Sequence, residues 1–137
     1  MYSIVIEGKP TAKARPRFTR SGRAYTPKKT AAYENAVKAA WIEKYGMERL
    51  EGPVELEAVF YISPPKSLSR KKFEVLVGER GPVIKRPDID NYIKAIQDGL
   101  NETAYMDDSQ VYSVMARKVY GLPERAEVYL EAIDYGR

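Results

Sequence analysis

The sequence predicts an α+β domain, a mixed α/β arrangement with one mixed β-sheet and two main helices packed on it. Three observations carry this. The 137 residues suit one domain with one core, spanning 1–137. Two long segments have helical apolar spacing, and four others are rich in β-branched and aromatic residues. There is no internal repeat or low-complexity tract, so the economical order is β-α-β-(insert)-α-β-β.

The elements follow in turn. "YSIVIEG" is β-branched and ends at a glycine, which predicts a first strand. "KPTAKARPRFTRSGRAYTP" has prolines, a Ser-Gly pair and no apolar period, and reads as a loop. A helix then starts with Thr26 as N-cap and Pro27 in the first helical position. Tyr33, Val37, Trp41 and Tyr45 line its inner face and Gly46 ends it. "VELEAVFYIS" is the second strand, closed by Pro64-Pro65. The insert "SLSRKKFEVLVGERGPVIKRP" admits a short helix capped by Ser67 or Ser69, followed by turns at Gly78 and Gly81-Pro82. The second good helix runs from about Asp88 to Glu102, with Ile89, Ile93, Ile96 and Leu100 as its apolar stripe. Asp90, Lys94, Gln97 and Asn101 share another face. "YMDDS" turns, and "QVYSVMARKVYG" and "RAEVYLEAID" are two strands expected to form a hairpin through "GLPE".

Composition narrows the chemistry. The chain has no cysteine and no histidine, which removes thiolate and imidazole ligands, disulfides and the usual nucleophile–base pairs. Hydrolysis would have to come from carboxylates, lysine, or a metal held by oxygen. No apolar run is long enough to span a bilayer and no basic leader precedes the first strand, so a soluble cytoplasmic protein is expected. The net charge of +4 is unevenly spread. From Gly8 to Tyr33 the charged residues are all basic: Lys9, Lys13, Arg15, Arg17, Arg20, Arg23, Lys28 and Lys29. From Asp88 to Asp108 the acids Asp88, Asp90, Asp98, Glu102, Asp107 and Asp108 meet Lys94 as the sole base. A basic arm beside an acidic cluster suits a metal-dependent enzyme acting on nucleic acid.

The stretch "PDID" has a plain reading as helix capping, since Asp is a favoured N-cap and acids suit the first turn. Its functional reading is a Mg²⁺ site. Such an ion takes a few carboxylates plus water and substrate phosphate, and can activate water and offset charge on the transferring phosphorus. Asp107 or Asp108 would join Asp88 and Asp90 only if the connecting turn folds over that helix end. Lys94 could stabilise the transition state or leaving oxygen, or simply pair with Asp90 at i,i+4. In the basic loop, Lys13, Arg15, Arg17, Arg20 and Arg23 interleave with Phe18 and Tyr25, a pattern for phosphate contacts and base stacking as much as for a solvated loop. Of Arg117 and Lys118, strand alternation lets only one face the site.

"RPDIDNYIKAIQDGLNETAYMDDSQV" resembles the RusA family of Holliday-junction resolvases, whose pattern is D-x-D-N-x-x-K, a helix, then D-D-x-Q-V. "GKPTAKARPRFTRSGRAYTP" is similar to the basic N-terminal loop of its phage-type members. The resemblance implies a homodimeric endodeoxyribonuclease that cleaves four-way DNA junctions with Mg²⁺, or Mn²⁺ in its place. It implies metal ligands at Asp88, Asp90 and Asp108, a catalytic Lys94, and supporting positions at Asn91 and Asp107. DNA contacts are expected from Lys13, Arg15, Arg17, Arg20, Arg23, Lys85, Arg86 and Lys118. One departure bears on these contacts: about twenty extra residues, "PPKSLSRKKFEVLVGERGPVI", precede the motif, and Arg70, Lys71 and Lys72 would supply the charge they displace. The competing functions are a non-catalytic DNA-binding module, and a metal-dependent nuclease for other branched or single-stranded DNA.

Overall fold

The computed structural model describes residues 1–134. Its main sheet holds four strands: β1 (Tyr2–Glu7), β4 (Val54–Ile62), β5 (Val111–Tyr120) and β6 (Arg125–Ala132), in the spatial order β1-β6-β4-β5. Helices α1 (Lys28–Tyr45) and α3 (Ile89–Leu100) contribute to the same core as the strands, and α2 (Arg70–Glu79) lies in the insert. Among the described residues no helix is long and apolar enough to cross a membrane.

The expected β5–β6 hairpin does not form. β6 lies antiparallel to both β1 and β4, and β5 lies parallel to β4 on its other side. The reason is burial. β6 carries Ala126, Val128 and Leu130 at the centre of the sheet, all essentially inaccessible, whereas β5 exposes Tyr112, Val114 and Met115 and tolerates an edge. The connection of residues 121–124 has to step past one intervening strand, about 10 Å, which four extended residues can span. Parallel β4 and β5 need a crossover, and α3 supplies it.

Alternation explains which sheet face is covered. Val54, Leu56, Ala58 and Phe60 of β4 point into one core with Tyr33, Val37 and Trp41 of α1 and Tyr92, Ala95, Ile96 and Leu100 of α3. Phe60 stacks on Tyr92 with centroids 5.0 Å apart, and the Trp41 indole N–H donates to Glu48 O at 3.0 Å. α3 is rotated from the expected stripe: Tyr92, Ala95, Ile96, Gly99 and Leu100 are buried, while Ile89 and Ile93 are only half-buried. Gly99 lets α1 approach closely, since a Cβ there would lie 2.6 Å from Val37 Cβ.

Other boundaries moved for local reasons. Pro27, not Thr26, is the N-cap of α1, with no side-chain capping bond. Ser69 caps α2 by accepting from Lys72 N, and the helix runs through Gly78 to end at a left-handed Arg80 (φ 51°). The stretch read as a plain loop contains a small ribbon, β2 (Arg17–Phe18) against β3 (Ala24–Tyr25), turned through Gly22 at φ 85°. Beyond α2, Val83 N donates to Lys118 O and Tyr120 N to Gly81 O, so the insert covers the C-terminal part of the β5 edge.

Candidate functional site

α3 organises the site. Asp88 occupies its N-cap with extended backbone and gives its carbonyl to Asn91 N and Tyr92 N, but its carboxylate makes no capping bond. Asp90 follows in the first turn. Both side chains are exposed, so two carboxylates stand near the positive end of the helix dipole with no side-chain bond to hold them among the described residues. The capping read from "PDID" is thus done by the Asp88 backbone, and its side chain is spare.

Further along α3 the charges are tied. Lys94 Nζ lies 3.0 Å from Asp98 Oδ1 and 3.7 Å from Asp108 Oδ2. The other oxygen of Asp98 faces Lys13 Nζ at 3.1 Å, and Lys13 also meets Glu34 Oε2 at 2.6 Å. Five charges of alternating sign therefore run Glu34–Lys13–Asp98–Lys94–Asp108. The hydrogen bond to Asp98 raises the Lys94 pKa above its ordinary value, against its partial burial. Burial pulls Lys13 down, but bonds to Glu34 and Asp98 overcome it and leave its pKa raised. Both lysines are firmly cationic.

The Asp107–Asp108 turn is pinned from several sides. The residues Asp108–Gln110 form a single 3-10 turn that Asp107 caps by accepting from Ser109 N at 3.2 Å. That backbone bond from Ser109 holds the Asp107 carboxyl below the usual range. Gln110 spends its whole amide here: its oxygen accepts from Met106 N and Asp107 N, and its nitrogen donates to Leu50 O and Gly52 O. Asn101 Oδ1 accepts from Asp108 N at 3.0 Å, fixing the turn to the C-terminal end of α3.

That last tether decides a point left open by the sequence. From Asp90 to Asn101 is roughly 16 Å along a helix axis. The turn is tied to the C-terminal end of α3, and among the described residues no three acids gather closely enough to hold one metal ion. Asp88 and Asp90 are the free hard-oxygen donors, suited in kind to a divalent cation. Asp108 faces Lys94 instead.

The basic loop is placed against this helix. Lys13 N donates to Asn91 O at 2.8 Å and Ala14 N to Thr30 Oγ1 at 3.2 Å, on a buried threonine. Arg15, Arg17, Arg20 and Arg23 are exposed, as are Phe18 and Tyr25 on the small ribbon and Lys85 and Arg86 just before α3. Two expected DNA contacts are placed otherwise. Lys13 is only 21% exposed and is held by two carboxylates, so it anchors the loop. Lys118 directs its ammonium to Lys85 O and Pro87 O at 2.8 and 2.9 Å, bracing the backbone that leads into Asp88. Asn91 contributes its carbonyl, and its side chain is exposed. Three residues were missed by sequence reading. Gln110 was findable from the D-x-x-Q capping signature and Asp98 from its i,i+4 spacing to Lys94. Glu34 gives no local signal.

Comparison with known proteins agrees with this geometry. A family model described as "Endodeoxyribonuclease RusA" matches residues 7–131. A Bacillus subtilis (strain 168) protein described as "Uncharacterized protein YqaN" is 33% identical over 137 residues, with 96% of each chain covered. The matched span takes in the basic loop, α3 with its two free aspartates, and the pinned Asp-Asp turn, so the chain belongs to the RusA family of Holliday-junction endodeoxyribonucleases and is an endonuclease.

Proposed function

We propose that this endonuclease is a cytoplasmic, Mg²⁺-dependent homodimer that resolves four-way DNA junctions by paired, symmetric phosphodiester cleavage in recombination and repair, with Mn²⁺ able to substitute. Asp88 and Asp90 would hold the cation, with water and substrate phosphate completing its shell, and Asp108, which lies beside Lys94, would join them as a third carboxylate only if the turn moved toward that helix end. Two symmetric nicks require two active sites, hence two chains. The observation that carries the reading is the pair of exposed, unbonded carboxylates at one helix end, directly beside a basic loop fastened to the same helix through Asn91.

The cation, when bound, supplies Lewis-acid activation of water and of the scissile phosphate. The chain's own residues do the rest. Arg15, Arg17, Arg20 and Arg23 grip phosphates on either side of the crossover, and Phe18 and Tyr25 offer faces for unpaired bases. Lys85 and Arg86 add positive charge at the entrance to α3. Lys94, cationic through its bond to Asp98, offsets charge on the phosphoryl oxygens or on the leaving oxygen.

The test is a synthetic four-way junction labelled on each strand in turn, incubated with and without Mg²⁺ beside a panel of flaps, single strands and linear duplexes. Symmetric paired nicks, confined to the junction and dependent on metal, are expected. Preferential cutting of flaps or single strands would reassign the substrate, and metal-independent cutting would remove Mg²⁺ from the mechanism.

A further inference from the structure

We propose that Phe18 is a wedge that enters the base stack at the crossover of the DNA substrate, while Tyr25, on the opposite face of the same ribbon, stays with the arginines that contact the backbone. This rests on the junction reading above and gives its two aromatic side chains different tasks.

The ribbon separates the two rings. Arg17 pairs with Tyr25, and Phe18 with Ala24, across β2 and β3. Cross-strand partners share a face and neighbours along a strand alternate, so Arg17 and Tyr25 occupy one face and Phe18 and Ala24 the other. The first face sets a cation beside an aromatic ring, which suits a phosphate with a base stacked next to it. The second carries a phenyl ring and a methyl group, with no charge in the pair. Phe18 is 70% exposed against 46% for Tyr25, and among the described residues it neither belongs to the core nor packs against it. An apolar ring on an arm of arginines has no use for phosphate. What DNA offers it is the space between two base pairs, which an inserted phenylalanine can hold open. The pairs flanking a crossover can be splayed this way because strand exchange already interrupts the duplex there.

A wedge must be held in place. Thr19 N donates to Arg23 O and Gly22 N to Thr19 O, both at 2.9 Å, and Arg23 N donates to Thr19 Oγ1 at 3.1 Å. These bonds close the turn directly beyond Phe18. The base of the ribbon is fastened by Lys13 N on Asn91 O and Ala14 N on Thr30 Oγ1. Phe18 follows Lys13 by five residues, at most about 18 Å of extended chain. Asn91 adjoins Asp90, so at about 3.4 Å per step the wedge acts within roughly five base-pair steps of the two free carboxylates.

The experiment uses a four-way junction carrying 2-aminopurine beside the crossover, bound to the full chain in EDTA so that the readout does not depend on cleavage. A linear duplex of the same sequence is the control, and each variant is confirmed folded by circular dichroism. Fluorescence of the saturated wild-type complex is expected to rise at least about twofold over the free junction, as the probe base unstacks. Phe18→Ala should abolish that rise while affinity changes by less than about threefold, because the stacking gained on insertion is offset by the base stacking it breaks. Phe18→Trp, which keeps a flat apolar ring, should retain the rise. Tyr25→Ala should do the reverse: affinity falls about fivefold or more, the loss of one base–aromatic stack, and the saturated complex still brightens. A full rise with Phe18→Ala, its loss in both alanine variants, or no rise in the wild-type complex would overturn the inference. So would a change of oligomeric state in Phe18→Ala by analytical ultracentrifugation, which would give Phe18 to a contact between copies of the chain. Equal affinity of the wild-type protein for junction and duplex would instead overturn the junction reading, and this inference with it.

Discussion

The two helices of the β4–β5 crossover are built on opposite terms. α2 has a side-chain cap, Ser69 accepting from Lys72 N, and buries no residue. α3 has no side-chain cap and buries five residues against α1 and the sheet. Packing fixes α3 well enough that its N-cap carboxylate is relieved of structural duty, and that spare carboxylate is the first member of the candidate site. α2 buries none of its residues fully, its longer-range hold includes Arg80 over the Tyr61 ring, and its cap is committed. The helix that could lend its terminus to chemistry is the one that the core already holds.

Substitutions can break or sharpen this contrast. The largest effect is expected from Asp90→Asn, which should lower single-turnover junction cleavage by about 10²-fold or more, on the order of 2.7 kcal/mol, while junction affinity and melting stay near wild type. Retained cleavage would place the catalytic metal elsewhere. Gly99→Ala comes next: the added methyl meets Val37 at 2.6 Å, and denaturant unfolding should show a loss of about 1–3 kcal/mol. Lys13→Met removes the cation between Glu34 and Asp98, leaving Lys94 as the remaining partner of Asp98, and should cost roughly 1–2 kcal/mol with the salt slope of DNA binding unchanged. A slope reduced by about one, with stability intact, would make Lys13 a phosphate contact after all. The smallest effect falls on α2. Ser69→Ala should weaken that helix by about 1 kcal/mol, visible as faster amide exchange within residues 70–79 but not as a shift in global unfolding. Asp88→Ala, at the matching position of α3, should leave exchange in its helix unaltered because no side-chain cap is lost.

Much of this was legible in the sequence wherever the information is local. Helical spacing located α1 and α3, β-branched runs located the four long strands, and the D-x-D and Asp-Asp motifs marked the acidic residues. Pairing was not legible: the short "GLPE" link suits a hairpin equally well, and only the burial of Ala126, Val128 and Leu130 draws β6 between β1 and β4. The stripe of α3 slipped because Tyr92 and Gly99 owe their burial to Phe60 and Val37, residues far off in sequence. Lys13 looked like any other member of a basic run, since nothing in its neighbourhood announces Glu34 or Asp98. The chemistry-bearing residue types could be read from the chain, but the charges that restrain them come from elsewhere in the fold.

The central position of β6 also sets an order of assembly. Among the described residues β1 pairs only with β6, Tyr2 opposite Leu130, so the strand that comes first of the described elements has no hydrogen-bonding neighbour in the sheet until the last of them is made. Until then β1 and β4 both present open edges, and the core face shared by α1 and α3 lacks its middle strand. Contacts this distant in sequence slow folding and prolong exposure of unpaired edges. A nascent chain that already carries the arginines of the basic loop and the aspartates of α3 would therefore have no completed sheet to hold them in register, and a ribosome stalled before residue 125 would yield an aggregation-prone fragment rather than a partly active nuclease.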